Sequence, residues 1–410
     1  MSDTLRVKGA LLKYSLLNML LWAEFCCIFS YTTVFLLGRG LSNSEIGITV
    51  ALGNLLAVAI QPFLASFADS GKIAIHKLLM VLFGAMLVLF GLAAAFTNIL
   101  LSAAVFAGLS IFIQNAPGFL NSLGMYYQNH GASMNYGVAR GMGSLAFSGA
   151  AALMGEMVRQ SGVEIILFIG MGLAALMIAG LLLMPTPTHP QEESQASETA
   201  QPENASGSYL DFIRENPRFM TLAVGMSLIF VMHQIENAFA IQIAEHAGGD
   251  SASMGLMVAV AGLSEVPMMW LYSRIEEKSS SAKLLILSAV GFSIKAAVTL
   301  FAGNMMLLYV AYALQCIGFA LYTPASVSYA DERFGEREKN KAQGLVVMVS
   351  TIGGVIGSLL GGWLIDFSGV EMMLLVGTAV SVLGSIVAVL SVTSPKKQET
   401  PVMGACEKEG

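Results

Sequence analysis

Five ionisable side chains stand inside or at the mouth of long apolar runs: Glu24, Glu236, Glu265 and Lys295 within them, and Arg140 at the start of one. A charge in hydrocarbon costs about 2.5–3.5 kcal/mol on insertion scales, so such groups face a cavity or a partner. Three carboxylates against two bases leave at least one carboxylate without a full partner if the five share one cavity, and such a group can carry a proton. The competing reading is a set of fixed interhelical ion pairs. His233, Glu236 and Asn237 follow at i, i+3 and i+4, so they share one helix face, which is predicted to line the cavity. There His233 would either handle a proton or serve as a hydrogen-bonded structural group. Gln114 and Asn121 lie two turns apart on another face with Pro117 between them, and Tyr312, Gln315, Phe319 and Tyr322 form a stripe able to stack on a ring or simply to pack.

Other chemistries find no support. Paired aspartates, a His-Glu-x-x-His zinc motif and a shielded Ser/His pair do not occur, which argues against an enzyme. Gly141-Met142-Gly143-Ser144-Leu145-Ala146 has the form of a dinucleotide fingerprint, but no strand precedes it. Cys26, Cys27, Cys316 and Cys406 make no metal-ligand or disulfide pattern. No cofactor, metal or nucleic acid is expected; the expected partners are a small-molecule solute, protons and the lipid bilayer, for a monomeric chain.

The elements that would position these residues follow from composition. With 55% hydrophobic and 12% charged residues in a chain of 410, no soluble core could hide the apolar surface, and the solvent must mostly be lipid. Twelve apolar runs are each long enough to span a hydrocarbon layer about 30 Å thick as a helix. They fall near 12–37, 45–68, 75–96, 99–125, 137–158, 163–184, 219–245, 253–274, 282–302, 304–330, 342–366 and 370–392. Of the 21 Lys and Arg, 18 lie in the termini and the even-numbered connections, with Arg39 and Arg159 on the other side. The positive-inside rule then puts both termini in the cytoplasm. The first span lacks a cleavage signature and is expected to be retained. A polar stretch from Pro185 to Ser208 without periodicity reads as a linker. The expected organisation is a bundle over 1–184, a cytoplasmic linker over 185–218, a second bundle over 219–392 and a cytoplasmic tail over 393–410.

The two halves match at a shift of 207 residues: Gly155 with Ser161-Gly162-Val163-Glu164 returns as Gly362 with Ser368-Gly369-Val370-Glu371, Pro117 as Pro324 and Asp69 as Glu276. A repeat holding an even number of spans keeps its orientation, so the predicted fold is an all-α membrane protein of twelve transmembrane helices in two six-helix bundles related by a pseudo-two-fold axis along the membrane normal. Glycine rows at Gly353, Gly357 and Gly361, and at Gly354, Ser358 and Gly362, mark the fifth and eleventh spans as close-packing helices. The lack of organelle signals points to a multi-pass protein of a bacterial plasma membrane.

Twelve spans, a central loop and a two-fold repeat resemble the major facilitator superfamily over essentially the whole chain. Asp69, Gly71 and Lys72, followed by His76-Lys77, are similar to its gating loop, although Ala65 stands for the leading glycine and Ser70 for a base. Within that superfamily the chain looks most like the lactose permease group of oligosaccharide:proton symporters and the related phenylpropionate permease branch. Tyr136-Gly137-Val138-Ala139-Arg140-Gly141-Met142-Gly143 resembles the group's fifth-helix entry, whose arginine binds substrate, and Phe147 falls where the permease has a sugar-stacking tryptophan. Glu265 matches the glutamate that couples sugar and proton, within Ser264-Glu265-Val266-Pro267, a context more like the phenylpropionate branch. Lys295 stands at an arginine of the group and Glu236 at an aspartate. Met268 replaces a sugar-binding asparagine, Leu120 and Asn121 stand where a glutamate is usual, and the tenth span offers Gln315 and Tyr322 in place of a histidine and a proton-carrying glutamate.

The resemblance implies proton-coupled symport of a small polar metabolite, a sugar or glycoside, by alternating access. Arg140, Glu265, Phe147, Asn121, Gln114, Asn237 and Tyr322 would bind substrate, and Glu265, Glu236, Glu24, Lys295 and His233 would serve proton coupling. Uptake of an aromatic acid or nucleoside, favoured by the aromatic residues and the two cations, is the alternative within transport, beside an exporter. Outside transport the alternative is a non-transporting membrane sensor.

Overall fold

A computed structural model of the chain describes residues 9–70, 73–129, 136–184 and 209–393, and among these every regular element is helical. Gly71 and Lys72, the side chain of Asp69 and the stretch 185–208 lie outside the described residues. Among the described residues ten helices are long and apolar enough to cross a membrane. Their outward faces carry large apolar side chains, such as Phe63, Leu100 and Leu390, that only lipid would accommodate.

The first part of the chain forms α1 (Ala10–Gly38), α2 (Asn43–Asp69), α3 (Ile75–Ala95), α4 (Ile99–Asn129), α5 (Tyr136–Ser161) and α6 (Ile165–Leu182). A capping box of Ser42 and Glu45 starts α2, satisfying backbone donors that the helix leaves open. Helix α1 packs against α4, α5 and α6, and α3 against α4 and α6. Arg39 ends α1 and ties this group at one end. Its Nε and Nη2 each donate to Glu164 at 2.7 Å, while Nη1 and Nη2 reach the carbonyls of Phe96 and Ala93.

After residue 208 come α7 (Tyr209–Glu215), α8 (Pro217–Ala238), α9 (Ala240–His246), α10 (Ser251–Glu276), α11 (Ser281–Leu300), α12 (Met305–Ala313), α13 (Phe319–Arg333) and α14 (Glu336–Ser391). Helix α8 lies along α14, and α11 packs on α13 and α14. Gly353, Gly357 and Gly361 meet α8 so closely that a Cβ at any of them would collide with its atoms, the close approach for which small residues are used in membranes.

Three expectations about element boundaries need correction. The expected linker contains a helix, α7, and Pro217 opens the next helix at its first turn, where a proline's missing N–H costs nothing. The seventh span divides at Phe239 into α8 and α9, and the freed carbonyl of Ala238 accepts from Thr33 Oγ1 at 2.5 Å. The tenth span divides into α12, a 3₁₀ turn over Leu314–Cys316, and α13, with the carbonyl of Gly318 accepting from Ser288 at 2.8 Å. The eleventh and twelfth spans lie on either side of Gly369 within α14, where a φ of 85° breaks the helix, a conformation only glycine adopts without steric cost.

Between the two parts α5 lies against α10, α2 against α14, and α1 touches α8. Gly155 of α5 abuts the backbone of Ser251 and Gly255 on α10, and Gly362 of α14 abuts Asn43 and Ser44 on α2. The shift of 207 residues that relates Gly155 to Gly362 also relates Ser44 to Ser251, so one close contact occurs twice.

Candidate functional site

Four polar side chains from three different elements of the second part form one buried chain. Lys295 of α11 donates to Glu236 of α8 at 2.9 Å and to Gln315 Oε1, in the 3₁₀ turn, at 2.7 Å. Thr299 Oγ1 donates to the other oxygen of Glu236 at 3.0 Å, and Tyr312 OH to its backbone carbonyl at 2.7 Å. The ammonium also lies 4.6 Å from the centre of the Tyr312 ring. Both charges are about 1% exposed, so each depends on the other and on these hydrogen bonds. Because a lysine ammonium only donates, it fixes the Gln315 amide with its oxygen inward and its NH₂ outward. The outward NH₂ meets Glu265 of α10, which accepts from Gln315 and lies within electrostatic reach of Lys295 and of Arg140.

Arg140, from α5, brings the first part of the chain to this carboxylate. Its Nη1 donates to Ser144 Oγ at 2.9 Å, one helical turn on, and its Cζ lies 3.8 Å from the centre of the Trp22 ring on α1. Trp22 heads a row with Phe25 and Phe29, at centroid spacings of 5.1 and 5.4 Å, all three half-buried. Phe147, two turns beyond Arg140, faces Gly262 of α10, where an added Cβ would come within van der Waals distance of its ring. Positive and negative groups from the two parts of the chain thus meet beside aromatic rings, an arrangement able to bind a polar solute that carries a ring.

A second aromatic group surrounds His233. Its ring stacks on Phe319 at 5.2 Å and meets Phe230 and Phe292 edge-on, while Tyr322 packs against Phe230 at 4.9 Å. Asn237 Nδ2 lies 3.1 Å from His233 Nε2, and His233 Nδ1 is buried without a partner among the described residues. The expectation that His233, Glu236 and Asn237 line a cavity together needs correction: only Asn237 is half-buried, and Glu236 turns inward to its lysine.

The remaining sequence candidates are dispersed. Gln114 donates to Asn54 of α2 at 3.0 Å. Asn121 is half-buried on α4, as is Phe147 on α5. Glu24 is apart from the other charges, fully buried in the packed interior of the first part, with neither oxygen partnered among the described residues. The condition that all five charged residues share one cavity is not met at Glu24. Trp22, Phe25 and Phe29 were not among the sequence candidates, because aromatic residues in an apolar helix give no contrast; their i, i+3, i+7 spacing and the glycine at 143 were the available signals.

The site lies below an end of the molecule where hydrogen bonds between the two parts gather. Asn43 N and Nδ2 donate to Asp366 Oδ1 at 3.2 and 2.8 Å, and Ser44 N donates to Oδ2 at 2.7 Å. Gln242 donates to Asn43 at 2.7 Å, and Ser251 Oγ to the carbonyl of Gly155 at 3.2 Å. Arg159 Nε stands 4.0 Å from Asp250. The 207-residue shift maps Asn43 to Asp250 and Arg159 to Asp366, so these are corresponding positions with the acid on the opposite member. Asp250 lies outside the spans as the N-cap of α10, and the backbone and hydroxyl donors of Ser253, with Arg159 adding to them, hold its carboxyl below the usual carboxylate range.

Comparison with known proteins follows this geometry. The model of the MFS_1 like family matches residues 11–376. A Bacillus subtilis (strain 168) protein, the uncharacterized transporter YwbF, is 23% identical over 334 residues, covering 80% of this chain and 78% of its own. A protein of Escherichia coli (strain K12) named as a probable 3-phenylpropionic acid transporter is 24% identical over 307 residues, covering 74% and 78%. Among solved structures, the nucleoside transporter NupG superposes with a TM-score of 0.78 at 15% identity, covering 93% of this chain and 98% of its own, a likeness of fold. A bacterial homologue of the human lysosomal transporter Spinster, solved in an inward-facing conformation, gives a TM-score of 0.59 at 13% identity over 94% of this chain and 93% of its own.

Proposed function

The chain belongs to the MFS_1-like family, a multi-pass membrane transporter rather than an enzyme, and from that premise we propose that it takes up a small polar solute bearing a ring together with a proton, by alternating access. The ten long apolar helices, with α14 divided at Gly369 and α5 added, give twelve spans in two bundles that rock about the site. The positive-inside count supports cytoplasmic termini, in what we take to be a bacterial plasma membrane. On that orientation the hydrogen-bonded end faces outward, and the described conformation is closed to the outside.

One observation carries the reading: Arg140 on the first bundle and Glu265 on the second lie within electrostatic reach of each other where the bundles meet, beside Trp22 and near Phe147. A solute binding there touches both bundles, and only such contacts make binding and rocking depend on each other. Glu265 can accept a proton and release its hold on Gln315, while Lys295 and Glu236 stay paired. The aromatic rings and the cation favour an aromatic acid or a nucleoside, and the related 3-phenylpropionic acid transporter and the nucleoside transporter fold are consistent with those classes. A sugar is the second reading, favoured by the pairing of a guanidinium with a carboxylate, which suits vicinal hydroxyls. Uptake of labelled 3-phenylpropionate, uridine and a disaccharide into cells making the protein tests it: one class should enter in the unaltered protein and fail in both Arg140→Ser and Glu265→Gln. Full uptake in both variants would contradict the assignment.

A further inference from the structure

We infer that Trp22 is a positioning residue that holds the Arg140 guanidinium ready for the solute, and that Gly143 is the residue that makes this possible; the inference rests on the reading of Arg140 as a solute contact. An arginine side chain is long and flexible, so one left loose would lose conformational freedom each time a solute bound. Here it is held before binding. Ser144 accepts from Nη1 at 2.9 Å, and the indole of Trp22 covers one face of the guanidinium with Cζ 3.8 Å from the ring centre. A guanidinium whose face is taken by a ring keeps its N–H groups in its own plane, the direction in which a carboxylate or hydroxyl is met.

Gly143 explains why the indole can reach this place. A Cβ built there would overlap the indole ring of Trp22, so any other residue would push α1 and α5 apart or turn the ring aside. Phe25 packs against the indole at 5.1 Å and is itself packed by Phe29 at 5.4 Å. The sequence separation between Trp22 and Arg140 means that this contact also joins α1 to α5, so the arginine moves with the first bundle as one body.

The chain has three tryptophans, and Trp270 and Trp363 are 75% and 53% exposed, so their replacement by Phe leaves Trp22 as the one emitter. In this background, purified in detergent, Arg140→Ser should change both the emission maximum and the quenching of Trp22. In transport assays with labelled 3-phenylpropionate and uridine, Trp22→Leu and Gly143→Ala should each raise KM about tenfold with Vmax within about twofold, and Trp22→Phe should restore KM to within about threefold of the original. A merely structural role would lower Vmax and the amount of folded protein without this split. Unchanged Trp22 emission in Arg140→Ser, or an unchanged KM in both Trp22→Leu and Gly143→Ala, would overturn the inference. Undiminished uptake by Arg140→Ser, with the emission changed, would instead overturn the assignment of Arg140 and leave the contact itself standing.

Discussion

Lys295 and Glu236 show how a residue's role depends on its partners. In sequence they were two charges in different apolar runs; in the structure they are one ion pair, 2.9 Å apart, with Gln315 and Thr299 completing their hydrogen bonds. Removing one member strands the other in the interior, which costs about 3–5 kcal/mol, whereas removing both can be nearly neutral. Lys295→Met and Glu236→Leu should therefore each lower the melting temperature in detergent strongly, and the double variant should recover much of the loss; equal and additive losses would contradict the pairing. The charges were legible because they are rare among apolar residues. Their pairing was not, since it depends on how α8 and α11 are rotated. Glu24 was equally conspicuous yet joins no cluster, while Trp22 was inconspicuous yet touches Arg140.

Among the elements, the contacts at the closed end form two corresponding sets. Asp366 accepts three N–H bonds at the start of α2, where the unsatisfied donors and the helix dipole favour a negative group. Asp366→Ala should weaken closure, and the combined Gly155→Leu and Gly362→Leu change should do so more, because neither position has room for a side chain. Cys316 is a suitable reporter, being half-buried beside Gln315, whereas Cys26 and Cys27 are buried. In a Cys406→Ser background, labelling by a membrane-impermeant maleimide added outside should rise about fivefold or more in these variants; no rise would show that the contacts do not hold this end shut. The Asp250 cap has a defined pH dependence. A carboxyl held below its ordinary value contributes stability that is complete above about pH 3.9 and is lost as pH falls through the lowered value. The melting-temperature difference between the unaltered protein and Asp250→Ala should thus be constant from pH 8 to pH 5 and shrink only in stronger acid. The helix periods were legible from composition, but the interruptions at Phe239 and Leu314–Cys316 were not. No proline marks them; the carbonyls of Ala238 and Gly318 beside them accept from the hydroxyls of Thr33 and Ser288, which are distant in sequence.

Over the whole molecule the internal shift of 207 residues was the most informative sequence feature, because the same shift relates the residues that close the molecule: Gly155 to Gly362, Ser44 to Ser251, Asn43 to Asp250 and Arg159 to Asp366. Both contacts lie at the same end of the molecule, so on the proposed alternating-access reading they would part together when that end opens. The charge of Arg140 acts on Glu265 across the contact of α5 with α10; on the proposed reading, a solute and a proton bound there would decide which arrangement is favoured. The class of protein was legible because lipid imposes one pattern on every span. The solute was not, since on the proposed reading it would be chosen by side-chain geometry among α1, α5 and α10, which composition and periodicity do not give. The most direct test is the external pH of lightly buffered, de-energised cells making the protein, recorded as 3-phenylpropionate, uridine and a disaccharide are added in turn. The account predicts alkalinisation with one class, abolished in Glu265→Gln; entry of a solute through the unaltered protein with no change in external pH would contradict it.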